Sequence, residues 1–338
     1  MELQLENIGM IEEANVEING LTVIAGENDT GKSTLSKILY CFIEAINLSQ
    51  YNEIRQKHSS KLCDTFNFYV EKIFNGKITD NGSIEVPIVE EDEYIFLLEI
   101  KDNQCNDFST PPIEVLENLN YNTIMVETPL VWNFTDFFRD IAQIESQMRI
   151  ELDYPYLMKD LNFKLHIKNA SNGLDIKKEV TDLMGGEFKK DEMGKYYFNK
   201  NGQRIELVNT ATGIKYFGIF QVLSQHNYLN KNTILILDEP EVHLHPKWQL
   251  EMAKIIVELV KNGVKIVVNS HSPYMLEALQ RYSEVEKIED KTNFYLAEDG
   301  IIDKVEESNA LTLEKIFGKL SEPFDVFDEM DSRILRGE

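Results

Sequence analysis

Cysteine is scarce in this 338-residue chain. Cys41, Cys63 and Cys105 are the only three, an odd number with no C-x-x-C spacing. That pattern excludes a disulfide framework or a zinc site as an expectation and favours free thiols in a reducing cytoplasm. Basic residues are also in deficit: Lys and Arg total 34 against 58 Asp and Glu, a formal net charge of −24. A surface this acidic repels phosphate backbones at long range. Direct nucleic-acid binding is therefore disfavoured, although a local basic groove can coexist with an acidic exterior. A basic or neutral protein partner fits better, and solubility alone is the other reading of the charge. No apolar run approaches the ~20 residues of a membrane helix. Met1-Glu2-Leu3-Gln4-Leu5-Glu6 has no basic stretch leading into an apolar one, so no signal peptide is expected. Repeats and low-complexity tracts are not evident.

What remains is ordinary globular material, 43% hydrophobic and 27% charged, long enough for one α/β core with an embedded subdomain. Asn15-Val16-Glu17-Ile18 alternates like a half-buried strand, and Leu21-Thr22-Val23-Ile24-Ala25 reads as a more deeply buried one. From Gly31 to Ile46, Leu35, Ile38, Leu39, Phe42, Ile43 and Ile46 repeat at helical spacing. Further helices are expected at Glu53–Phe74, Phe137–Leu152, Thr212–Asn227, Lys247–Val260, Pro273–Leu279 and Leu311–Leu320. Strands are expected at Ser83–Val89, Tyr94–Lys101, Asn122–Val126, Phe163–Ile167, Tyr196–Asn199, Arg204–Val208, Thr233–Leu237 and Val264–Val268. Asp102–Pro112 reads as a polar loop, and a hairpin is expected around Gly300. Strands alternating with helices indicate a mostly parallel sheet. The expected organisation is an N-terminal part of the core (1–130), an inserted helical and mixed subdomain (131–202), and a C-terminal part with an acidic tail (203–338).

Three motifs carry chemistry. Gly26-Glu27-Asn28-Asp29-Thr30-Gly31-Lys32-Ser33, followed by Thr34, has the form G-x-x-x-x-G-K-[ST] between a strand and a helix. Backbone N–H groups of such a loop converge on phosphate oxygens, and the helix N-terminus adds a favourable dipole. Lys32 should reach the β- and γ-phosphates of ATP, and Ser33 should ligate Mg²⁺. The second motif is the apolar strand Ile234-Leu235-Ile236-Leu237 delivering Asp238 and Glu239. Ligands bind at the C-terminal ends of parallel strands. There Asp238 would hold Mg²⁺ through a water and Glu239 would polarise the attacking water. The third is Asn269-Ser270-His271-Ser272-Pro273, where His271 can sense the γ-phosphate. Taken singly, each also has a bland reading: a chance turn, a solvated strand end, a loop histidine.

In this order the three motifs resemble an ABC-type ATPase head, of the SMC/RecF/OLD branch and its compact bacterial AAA-type relatives. The phrases Leu237-Asp238-Glu239-Pro240-Glu241-Val242-His243-Leu244-His245-Pro246 and Ser270-His271-Ser272-Pro273 match that style. The resemblance covers residues 1–45 and 203–285 and leaves the middle unmatched. It implies a P-loop NTPase fold with a mixed sheet and an inserted subdomain. It also implies a Walker B motif at Leu237-Asp238-Glu239, a D-loop over Glu241–Pro246, and His271 as switch histidine. The signature motif, which acts in trans, falls on Asn209-Thr210-Ala211-Thr212-Gly213-Ile214-Lys215, with Thr212 supplying a hydroxyl and Gly213 a close backbone approach. It departs from the transporter form, and helix capping by Thr210 or Thr212 is the competing reading. Glu127 is the nearest counterpart of the Q-loop glutamine. His243 and His245 form an H-x-H pair that suits a D-loop better than a metal site lacking further ligands. Lys177, Lys178, Lys189, Lys190, Lys195, Lys200 and Arg204 interleave with aromatics, but Asp182, Glu187, Asp191 and Glu192 dilute them into a mixed-charge surface.

The resemblance implies an ATPase that forms a homodimer on ATP and controls a separate effector protein, a nuclease or toxin, in a setting such as anti-phage defence. The alternative is an SMC/RecF-like DNA-binding ATPase in DNA repair, opposed by the charge and by the lack of long heptads. An OLD-type nuclease is a third reading. It is disfavoured because little more than fifty residues follow Ser283 and Asp325 and Asp328 do not supply a TOPRIM site.

Overall fold

The computed structural model describes residues 1–54, 62–89, 93–109, 119–150, 152, 154–304 and 308–336. The first three strands, β1 (Glu2–Ile8), β2 (Ile11–Glu17) and β3 (Leu21–Ala25), fall where alternation and apolar runs place them. They belong to one large mixed sheet with β4 (Asn81–Val89), β5 (Glu93–Lys101), β6 (Gln104–Ser109) and β7 (Asn122–Val126). The small strands β8 (Glu187–Lys190), β9 (Tyr196–Lys200) and β10 (Gln203–Glu206) form a separate three-stranded sheet. The chain then returns to the large sheet through β11 (Thr233–Asp238), β12 (Lys265–Ser270), β13 (Thr292–Glu298) and β14 (Ile301–Asp303). The large sheet runs β6-β5-β4-β1-β2-β14-β13-β3-β12-β11-β7. Its half from β13 to β7 is parallel, and its half from β6 to β2 is antiparallel.

The parallel strands are buried on both faces, so they read as continuous apolar runs. Alternate residues feed two cores: Leu235 and Leu237 of β11 enter one, and Ile234 and Ile236 enter the other. Helix α1 (Lys32–Ile54) covers the second core, and its predicted face from Leu35 to Ile46 is fully buried. Phe42 meets Phe96 of β5 edge to face at 5.5 Å. The long helix ends the P-loop side; α2 (Leu62–Phe74) then packs back on it. Between β7 and β11 come α3 (Thr135–Met148), α4 (Tyr156–Lys164), α5 (Lys177–Met184) and α6 (Thr212–Gln225). The opposite face carries α6, α7 (Pro246–Lys261) and α8 (Pro273–Glu286), and the chain closes with α9 (Asn309–Arg336). His245 caps α7 by accepting from the Lys247 N–H, and Ser272 caps α8 by accepting from Met275 N–H. Each helix has Pro at its first turn, where no N–H is needed.

Several expectations need correction. The polar loop at Asp102–Pro112 is a turn followed by strand β6 up to Ser109, and residues 110–112 lie outside the described ones, as do 55–61 of the helix expected at Glu53–Phe74. The strand expected at Phe163–Ile167 is the end of α4 and the turn after it. The buried pair there is Leu161 and Leu165, four apart, while Phe163 and Ile167 are exposed, so the true period is helical. Helix α8 runs on to Glu286. The segment after it is no mere acidic tail: β13 is buried from Thr292 to Ala297 and pairs in parallel with β3. The hairpin expected around Gly300 is formed by β13 and β14, and the acidic flanks hid only that β13 is also a central strand. The free-thiol reading fails for two cysteines. Cys63 on α2 and Cys105 on β6 are joined as a disulfide, with Cα atoms 5.2 Å apart. The pairing was invisible in the sequence because 42 positions separate them. The Asn67 side chain ties the same two elements by accepting from Cys105 N–H at 2.8 Å and donating to its carbonyl at 3.1 Å. Cys41 remains free and buried.

Truncating Phe42 tests the α1 interface. Phe42→Ala should lower unfolding free energy by about 3–5 kcal/mol, read as a shifted denaturant midpoint in urea.

Candidate functional site

The P-loop leaves β3 at Gly26, and the close neighbour there is Ala297 of β13. A Cβ on Gly26 would stand 2.2 Å from the Ala297 carbonyl oxygen, so glycine is required by space alone. Gly31 has φ +92° and faces the Ile11 side chain, and Asp29 is also left-handed at φ +68°. These turns fold the loop over the start of α1. Lys32 is buried there, and its ammonium donates to the Gly26 carbonyl at 2.9 Å and to the Glu27 carbonyl. Burial pulls the Lys32 pKa below its usual value, against the opposing pull of Glu239, Asp238, Glu241 and Glu27.

Strand register brings the other motifs level with the loop. Ala25 pairs with Ser270 across β3 and β12, and Asn269 pairs with Asp238 across β12 and β11. Ser33 Oγ donates to Asp238 Oδ1 at 3.0 Å. Asn269 Nδ2 donates to the same oxygen at 2.7 Å and lies 2.9 Å from Ser36 Oγ. Glu239 follows in a left-handed conformation, φ +48°, fixed by its N–H donating to the Asn269 carbonyl at 2.9 Å. Its carboxylate stands 3.3 Å from His271 Nδ1, without hydrogen-bond geometry. Glu241 is buried, and its Oε1 accepts from Ser270 Oγ at 2.7 Å and from His271 N–H at 3.0 Å. Its other oxygen, Oε2, has no hydrogen-bond partner among the described residues.

Thr212 and Gly213 open α6, where Ala211 holds the cap position without a side-chain bond. Thr210 Oγ1 instead donates to the Glu206 carbonyl at 3.0 Å, so neither threonine caps the helix. Gly213 packs against Leu244, which would lie 3.1 Å from an added Cβ. Among the described residues, Thr212 and Gly213 make no hydrogen bond to Lys32, Ser33, Asp238, Glu239 or His271. Glu127, at the end of β7, pairs with Lys37 of α1 at 2.9 Å. His245 is a helix cap and His243 sits at φ +68° in the loop before it, not on a strand. No group of three or more His, Cys, Asp or Glu suited to a metal ion occurs among the described residues.

Sequence reasoning left three neighbours of the cluster without a role of their own, and two of them support it. Asn269 was in view but without a role; its level pairing with Asp238 is the signal that assigns one. Glu241 reads only as the first residue of the D-loop until its burial is known. Tyr216, fully buried on α6, has a phenol pushed well above its usual range by burial and then by Glu241 and Asp238. Its hydroxyl lacks a hydrogen-bond partner among the described residues.

The donor set fits a magnesium nucleotide. Ser33 and Asp238 are hard oxygen donors already in contact, as Mg²⁺ prefers. Asp238, Glu239 and Glu241 outnumber the ammonium of Lys32, and the surplus negative charge suits a divalent cation. Turn amides and the start of α1 supply the phosphate cradle.

Comparison with known proteins agrees with this geometry. A family model described as an AAA ATPase domain matches residues 117–276. A segment of 101 residues is 29% identical to the Old nuclease of Escherichia phage P2, covering 29% of this chain and 17% of that protein. The chain thus spans less than a fifth of that relative. Among solved structures, an Smc head bound to the C-winged helix domain of ScpA aligns with TM-score 0.51 at 13% identity, covering 93% of this chain and 98% of that one. The SMC head domain from Thermotoga maritima gives 0.48 at 13%, covering 90% and 98%. At 13% identity the likeness to the ScpA-bound Smc head speaks for the fold alone. The fold is the mixed α/β P-loop NTPase fold of the ABC-ATPase and SMC-head type, with an inserted helical subdomain.

Two substitutions separate supporting from idle polar groups. Asn269→Ala leaves Asp238 and Ser36 short of a partner and should cost about 1–3 kcal/mol. Tyr216→Phe removes a hydroxyl without a protein hydrogen bond and should stay within about 1 kcal/mol of wild type. Chemical denaturation of both variants checks the contrast.

Proposed function

We propose that the chain binds ATP with Mg²⁺, hydrolyses it, and uses the cycle to control a separate effector protein. The observation that carries this reading is the convergence of Lys32, Ser33, Asp238, Glu239 and His271 at the level ends of three adjacent parallel strands. Amides from Gly26 to Thr34 hold the phosphates, and Lys32 turns from the loop carbonyls to the β- and γ-oxygens. Ser33 and Asp238 would hold Mg²⁺, which would supply charge neutralisation for phosphoryl transfer. Glu239 orients and polarises the attacking water from its fixed left-handed position. His271, beside Glu239, contacts the γ-phosphate and registers its departure.

The same reading takes the ATP-bound form as a homodimer. Gly213 stands beside Leu244 and the His243 carbonyl of its own chain, and in this reading Thr212 and Gly213 serve the pocket of a second copy. The effector is taken to be a nuclease or toxin in a separate chain, and anti-phage defence is the setting proposed for it. The alternative, an ATPase acting on DNA itself, has the net charge of −24 against it.

Glu239→Gln should cut turnover by about 10²-fold or more while retaining ATP. Light scattering should then find the mass of two chains with ATP and Mg²⁺ and of one without. Lys32→Ala should stay monomeric under both conditions. A Glu239→Gln protein that binds ATP and remains a monomer would sink the dimer.

A further inference from the structure

We propose that the cleft between α5, α7 and α8 is the docking groove for a basic amphipathic helix of a partner protein. The cleft measures ≈ 710 Å³. Its floor is apolar: Leu183 from α5, Ile255 from α7, and Tyr282 and Val285 from α8. Val285 is 71% exposed, so it is accessible at the edge of the trough. The rim has one sign. Asp175, Glu179, Glu251, Glu258 and Glu286 line it, against a single lining cation, Lys254. Lys261, just outside, pairs with Glu286 at 2.6 Å and leaves the other carboxylates in surplus.

An apolar trough with an acidic rim is complementary to a helix that carries leucine-like residues on one face and lysine or arginine on its flanks. A nucleic acid is repelled by that rim. A second copy of this chain would bring a surface of the same sign, since its net charge is −24.

The position of the groove gives docking a consequence. Helix α7 starts just after Glu239 and the D-loop, and α8 starts two residues after His271. Glu258 and Val285 each lie twelve residues into their helix, about 18 Å along it at the usual rise. A partner seated there holds the far ends of the two helices whose near ends carry the hydrolysis and sensing loops. This gives a chemistry to the effector proposed above and rests on that reading only for the partner's existence.

The test uses the full chain without nucleotide, so its failure leaves the ATP reading untouched. The probe is a labelled synthetic helix with leucine at i, i+3, i+4 and i+7 and lysine elsewhere; the control replaces every lysine by glutamate. Fluorescence anisotropy should find the lysine helix bound at least about tenfold tighter than the control. Val285→Lys and Glu251→Lys should each weaken it by about tenfold or more. Glu13→Lys, on an exposed position of the distant β2, should leave it within about twofold. Equal losses from Glu13→Lys and Glu251→Lys would reduce the effect to diffuse charge and overturn the groove. So would tight binding that survives Val285→Lys.

Discussion

The in-register parallel pairing of β3, β12 and β11 governs the whole nucleotide end of this molecule. Parallel strands in register finish at one level, so the loops that follow them leave the sheet side by side. Ala25 lies beside Ser270, and Asn269 beside Asp238. From that alignment come the contact of Ser33 with Asp238 and the approach of His271 to Glu239. A slip of one residue would turn Asp238 and Asn269 to opposite faces and dissolve the cluster. The apolar alternation of these strands into two cores is what prevents the slip.

Burial then sets the electrostatics. Lys32 is taken out of water, which lowers its pKa, and the four carboxylates of Glu239, Asp238, Glu241 and Glu27 offset only part of that. The loop carbonyls that hold its ammonium are replaceable partners, so the side chain is retained in place without being locked. Glu241 is held more firmly, because both its hydrogen-bond donors belong to the adjacent residues Ser270 and His271. Fixed and exchangeable contacts thus lie within one cluster.

The sequence was most legible where chemistry and period coincide. Gly26 to Ser33 could be placed because a strand period precedes it and a helical period follows. Asp238 and Glu239 could be placed because a doubly buried strand has no polar residue until it ends. It was least legible where the deciding fact is a long-range partner. Phe163–Ile167 fits either period until Leu161 and Leu165 are seen to be the buried pair. Strand β13 lies inside acidic sequence, and only its pairing with β3 makes it central. Cys63 and Cys105 meet because α2 packs on β6, a contact no spacing rule announces. Asn269 falls between the two cases, since its residue type was visible and its neighbour was not.

The bond set around Glu241 constrains how this chain can change. Glu241 takes the Ser270 hydroxyl, Ser270 Oγ takes the Ser272 N–H, and the Ser272 hydroxyl reaches Gln249, whose amide returns to the Leu244 carbonyl. The circuit begins at Glu241, passes through Ser270 and Ser272, and ends at Leu244 of the same loop. Losing one member strands the next in a buried place, so single replacements are penalised while matched ones are not. Glu241, Ser270, Ser272 and Gln249 are accordingly coupled in stability, so that replacements among them do not add independently.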